Sequence, residues 1–395
     1  MNSNGHSRRH FLRISVTATI GAMFPSWSKA ESGPSAEIIE MKVISLDVEN
    51  YHGWPTLIRR KNGQLWLVCS GGREAHVCPF GRVELMVSHD QGANWTYPRT
   101  LLDTDIDDRD AGIVETAAGT LLVTTFTSLA YEPALLAAER AAAGSPDAWP
   151  APRLARWQSV HRRLGSAERE AELGQWMIRS TDGGRTWSPR YSCIVDSPHG
   201  PIQLADGRLL YAGKELWTGA KRVGVCESLD DGQSWRWLAE IPVRPGDNAS
   251  DYHELHAVEA KAKHIIVQIR NHNTANANET LQTESEDGGK TWSVPHEIGV
   301  WGLPSHLLRL QNGWLLMTYG HRRTPLGNQA RVSTDEGRTW SSLICISADG
   351  SSGDLGYPST AELDDGTLVT VWYEKLQNSS AAVLRQARWR LRGVS

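Results

Sequence analysis

The chain has 395 residues, with 41 Lys and Arg against 45 Asp and Glu and a net charge of −4. That balance supplies no basic field for nucleic acid, and no apolar run is long enough to span a bilayer. The five cysteines, Cys69, Cys78, Cys193, Cys226 and Cys345, are odd in number and lack metal-ligand spacing, so neither a disulfide framework nor a metal site is implied.

The first thirty residues read as a targeting segment. Ser7-Arg8-Arg9-His10-Phe11-Leu12 is a twin-arginine pattern, Ile14 to Phe24 is mildly apolar, and Ser28-Lys29-Ala30 offers a small-x-small cleavage site. Export to the periplasm or beyond is expected, with residues 38–392 as the folded body.

That body is repetitive. Ser-x-Asp-x-Gly-x-Asn/Ser/Thr-Trp occurs at Ser88–Trp95, Ser180–Trp187, Ser228–Trp235, Ser285–Trp292 and Ser333–Trp340. Within each copy Asp and Ser can fold back on backbone N–H groups, Gly permits positive φ, and Trp buries a large ring beside the turn. A second repeat interleaves: Asn62-Gly63, Ala118-Gly119, Asp206-Gly207, Asn312-Gly313 and Asp365-Gly366 each separate two apolar runs, with Ala262-Lys263 in the remaining slot. The unit is strand, tight turn, strand, a strand ending in the Asp-containing octapeptide, and a fourth strand. Six such units predict an all-β, six-bladed β-propeller of four-stranded antiparallel blades; solenoid repeats are usually shorter. Residues 131–176 break the period with Ala-, Arg- and Glu-rich stretches, which predict a short helical insertion in the second blade. It is either a packing decoration or a partial cover over one channel mouth.

The repeat also aligns one rim. Residues entering the innermost strands include His52-Gly53-Trp54, Asp108-Arg109-Asp110, His199-Gly200, His253-Glu254-Leu255-His256, Ser305-His306 and Gly356-Tyr357. Residues leaving the next strands include Arg73-Glu74, Lys214-Glu215, Arg270-Asn271-His272, His321-Arg322-Arg323 and Tyr373-Glu374. Polar, titratable groups at equivalent positions in most blades predict a binding or active site there.

The octapeptides resemble the Asp-boxes of the sialidase (neuraminidase) superfamily, whose propeller also has six blades. The resemblance implies a Tyr nucleophile activated by a Glu, matched here by Tyr357 and Glu254. It implies carboxylate-binding arginines, matched by Arg270 and by Arg322 or Arg323, and a Glu bracing an Arg, matched by Glu374. The family's first-blade Arg is replaced, because Gly53-Trp54-Pro55 stands where that family has Arg-Ile-Pro; Arg73 or Arg59 would have to substitute. The family's Asp acid/base has no clear counterpart before the first Asp-box, where Glu74 and His76 lie, and Asp110 on the next blade is the candidate.

The expected activity is an exo-acting hydrolase that removes a terminal acidic sugar, sialic acid or similar, from a glycan or glycoconjugate without a cofactor. Tyr357, Glu254 and Asp110 would be catalytic. Arg270, Arg322, Arg73, His52, His199, His253, His306 and Glu374 would bind substrate, with no metal. The ring of rim histidines, which also includes His272 and His321, keeps two other readings open: a hydrolase or lyase on a uronate-containing polysaccharide with His acid/base groups, or a non-catalytic glycan-binding propeller.

Overall fold

The structure, a computed structural model, describes residues 33–394 apart from 143, 218–219 and 275–278; the twin-arginine segment lies outside the described residues. Six four-stranded antiparallel sheets follow the predicted order. Their innermost strands are Tyr51–Arg59, Asp107–Glu115, Ile202–Gln203, Tyr252–Lys261, Ser305–Arg309 and Leu355–Glu362, which define blades 1 to 6. One blade departs from simple chain order. Blade 6 takes its outermost strand, Ser35–Val43, from the other end of the chain, pairing Ser35 with Arg392 and Val43 with Arg385. This closes the ring with hydrogen bonds and covers the open edge of the strand Ala382–Arg392.

The second strand of each blade is the most apolar, as in Ile265 to Ile269 and Leu315 to Met317, because both of its faces are covered by neighbouring blades. Between blades run apolar layers such as Leu210, Val225, Tyr252, Val267 and Ile269, all nearly inaccessible to solvent.

The Asp-boxes fasten more than their own turns. In the second copy the Ser180 hydroxyl donates to Asp182 (2.8 Å) and accepts from the Gly184 amide (2.9 Å). Asp182 accepts from the amides of Arg185 and Thr186 and from the Thr186 hydroxyl. The box glycine then lies against the preceding blade. A Cβ on Gly184, at φ 83°, would meet Trp66 at 2.3 Å, and one on Gly232, at φ 82°, would meet Leu122 at 2.5 Å. Box tryptophans reach the same way: Trp95 donates to Gln386 in blade 6 and Trp340 to Gln282 in blade 4. Removing one Ser hydroxyl therefore strands a buried amide. Ser180→Ala should lower stability by about 1–2 kcal/mol, read as a reduced denaturation midpoint, with activity unchanged below the transition.

The insertion forms three helices, Glu132–Arg140, Ala151–His161 and Ser166–Ala171, between two strands of blade 2. Tyr131, Leu135 and Trp157 from this segment pack against Cys78 and Phe80 of blade 1, and Arg153 and Arg156 pair with Glu74. The helices thus brace the blade 1 loop 74–81, which carries His76 to the rim.

Candidate active site

Four inner strands make the same local departure. Trp54, Asp110, Glu254 and Tyr357, in blades 1, 2, 4 and 6, have φ of 52°, 46°, 46° and 54°. Each sits where the strand pairing slips, at Gly53/Thr56, Arg109/Gly112, His253/His256 and Gly356/Ser359. A bulge of this kind re-aims one side chain. Left-handed backbone at a non-Gly residue costs on the order of 1–3 kcal/mol, and such strain clusters at functional sites. Four repeats of it at one level of the propeller mark this rim as the site.

The re-aimed side chains meet. The Tyr357 hydroxyl donates to Glu254 Oε1. Arg270 Nη1 lies 2.5 Å from Glu254 Oε2 and 3.2 Å from the Tyr357 oxygen, and Arg270 Nε donates to His272 Nε2 at 2.6 Å. Burial would raise the Glu254 pKa, but the Arg270 charge, with hydrogen bonds from Arg270 and Tyr357, outweighs it and holds the carboxyl below its ordinary range. Burial, reinforced by the Glu254 charge, pushes the Tyr357 phenol well above its ordinary value. A phenol in this setting is neutral, and the carboxylate on it is placed to take its proton.

Asp110 completes this side. One of its oxygens is buried without a hydrogen-bond partner among the described residues. Burial raises its pKa to about 7; Arg109 opposes that shift and Glu254 adds to it. Two carboxyls are thereby split, Glu254 held toward its ionised form and Asp110 toward its protonated form, an arrangement that would suit one as a base and the other as an acid.

Arg322 flanks the phenol from the other side, its guanidinium 5.9 Å from the Tyr357 ring. It donates to the Leu355 carbonyl (2.8 Å) and the Tyr373 hydroxyl (3.3 Å). Arg323 points away and stacks on the exposed Trp301 at 3.7 Å. The wall is aromatic: Trp54 stands edge-on to Tyr357 (6.4 Å) and His76 (5.0 Å), with Tyr51 and Tyr373 adjoining. Asp354 ties this wall together, accepting from Tyr51 (2.9 Å) and Tyr373 (3.1 Å) and lying 2.9 Å from His76 Nδ1.

Five expected substrate contacts lie elsewhere. Arg73 is fully buried, forked onto Asp107 at 2.6 and 2.9 Å. His52 turns inward to Glu84, 3.6 Å away. Glu374 is buried and faces away from the site, bonded by Arg385 and Trp372, because Tyr373 beside it faces the site and strand neighbours alternate. His199 and His306 join His256 in a buried cluster at the axis, with ring centres 4.8–5.3 Å apart. Burial holds His199 and His306 far below the ordinary histidine pKa. Of the histidine candidates His253 is the one near the reacting groups, half-buried and 4.8 Å from His272, its pKa pushed down to about 4 by burial and then Lys214. Sequence reasoning missed Asp354, Tyr51 and Asp196; the last is a buried carboxyl near Asp110 and Glu254. Its position directly before Ser197-Pro198-His199 was the available signal. Among the described residues no group of three or more His, Cys, Asp or Glu is placed to hold a metal ion.

The profile of the family described as "BNR repeat-like domain" matches residues 152–370, more than half of the chain. The chain belongs to this family. Its six four-stranded blades form a BNR-repeat propeller. A Dyadobacter fermentans protein described as of unknown function superposes at TM-score 0.71 and 20% identity, over 91% of this chain and 100% of that one. The NanB sialidase from Streptococcus pneumoniae gives 0.64 and 14%, over 91% and 71%. The intramolecular trans-sialidase from Ruminococcus gnavus gives 0.59 and 14%, over 87% and 94%. At these identities the likeness is one of fold. No protein of curated function matches the chain. For this BNR-repeat propeller the function therefore rests on the rim itself.

Proposed function

We propose that the protein is an exported, sialidase-like exo-glycosidase that removes a terminal acidic sugar through Tyr357. The observation that carries this is the Tyr357–Glu254–Arg270 constellation, built from two strained bulges and the end of a paired strand. Tyr357 Oη attacks the anomeric carbon as Glu254 takes the phenol proton, and Asp110 gives its proton to the departing glycosidic oxygen. Water then displaces the phenol, with Asp110 as base and Glu254 returning the proton to Tyr357. The configuration is retained after two displacements. A neutral phenol suits a substrate whose own carboxylate would repel a carboxylate nucleophile, and the guanidinium groups suit that carboxylate. The twin-arginine pattern at Ser7–Leu12 supports export, and the fold shared with a solved sialidase and trans-sialidase supports the sugar class.

The pH dependence has a definite sign. With Asp110 as the acid, kcat/KM should be level below about pH 7 for as long as Glu254 stays ionised, and fall tenfold per unit above it. Asp110→Asn should lower the rate and abolish that limb. Stability moves the same way. The folded-state pKa of Asp110 is raised from 3.8 to about 7, so its neutral form supports the fold fully below the ordinary value, and that support is lost as pH rises through about 7.

A second reading, elimination on a uronate-containing polysaccharide, draws on the Tyr51–His76–Asp354 group beside Trp54. Fluorogenic sialosides, uronides and neutral glycosides presented to the purified protein separate the two. Release from an acidic glycoside without an ultraviolet-absorbing unsaturated product supports hydrolysis; an unsaturated product supports the lyase.

A further inference from the structure

Trp54 occupies the first-blade bulge, and two guanidinium groups lie on its ring: Arg73 at 4.9 Å and Arg109 at 4.6 Å. Their surroundings differ. Arg73 is consumed by Asp107, Ser70 and the carbonyls of Ala75, His76 and Asp108. Arg109 makes no ion pair or side-chain hydrogen bond with any described residue, and its Nε is buried without a partner. The other two rim arginines are engaged: Arg270 by Glu254, Tyr357 and His272, Arg322 by Leu355 and Tyr373.

A half-buried guanidinium without a counter-ion is costly. Its contacts with Trp54 and with Phe126 at 6.0 Å offset only part of that. Stacking on ring faces leaves the planar fork of N–H donors free at its edge. The residue is also held in place, since it lies in the pairing slip that turns Asp110 and its carbonyl accepts from Thr125 at 2.6 Å.

We propose that Arg109 is the substrate-anion anchor of this site, forking onto the carboxylate of the acidic sugar from blade 2 while Trp54 backs its guanidinium. The inference rests on the acidic-sugar reading and names the residue that confers it. Arg59, by contrast, pairs with Asp364 at the far end of its strand.

The test compares the full-length protein with Arg109→Met and Arg109→Lys. For whichever acidic glycoside is turned over, Arg109→Met should raise KM roughly 10–100-fold with kcat within a few-fold, and Arg109→Lys should fall between. Activity on the matching neutral glycoside should fall far less than activity on the acidic one. Equal losses on acidic and neutral glycosides, or a KM within twofold, would overturn the assignment while leaving Tyr357 chemistry standing. Calorimetric titration with N-acetylneuraminate and with glucuronate reads the same residue if no glycoside is cleaved. At least one acid should bind the unaltered protein and lose affinity in Arg109→Met. No binding of either acid at millimolar concentration, or equal binding by both proteins, would overturn it.

Discussion

Tyr357→Phe should fold normally and lose turnover by about 10³-fold or more, with KM little changed. The ring is 4% exposed and packs between Trp54 and Tyr373, so its volume is retained and only the hydroxyl is lost. Glu254 keeps its bond from Arg270, so no buried charge is orphaned. What disappears is the one oxygen between the carboxylate that would accept the proton and the carbon that would receive the electrons. Steady-state kinetics on an activated acidic glycoside check this, and near-full turnover would remove the nucleophile from the account.

The largest loss of stability is expected away from the reacting groups. Arg73 and Asp107 are both wholly inaccessible to solvent and joined by a two-pronged ion pair. Arg73→Met leaves Asp107 charged and uncompensated and frees the carbonyls of Ala75 and His76. The cost should be about 3–5 kcal/mol, much of the total for an ordinary domain. The double variant Arg73→Met with Asp107→Leu should regain most of it, because a buried pair replaced by apolar groups of similar volume costs little. Denaturant midpoints of the two proteins distinguish this from a general packing defect, in which the second change would add to the first. Slack in the loop holding His76 should also reduce activity in the single variant.

The blade count was legible because both its signals are local. An Asp-box and a Gly turn each satisfy their own backbone, so they read the same in every copy. The bulges were not legible, and among the expected substrate contacts they displaced His52. Each slip in pairing breaks the two-residue alternation of the inner strand, so a rim residue's neighbours no longer face where parity puts them. His52, two residues before Trp54, turns to Glu84, and His256, two after Glu254, goes to the axial cluster. Glu374 lies in a regular strand, and parity with Tyr373 alone would have turned it away. Arg109 was visible among the rim residues. Its significance needed the distances that show Arg73 occupied and Arg109 free.

The central claim is that Tyr357 forms a covalent bond to the sugar. Incubating the protein with a difluorinated analogue of N-acetylneuraminate, then digesting it and weighing the peptides, tests that claim directly. The added mass of the sugar should appear on the peptide containing Tyr357, and not in Tyr357→Phe. An adduct on a carboxylate such as Glu254 or Asp110, or turnover of the analogue with no adduct at any stage, would contradict it.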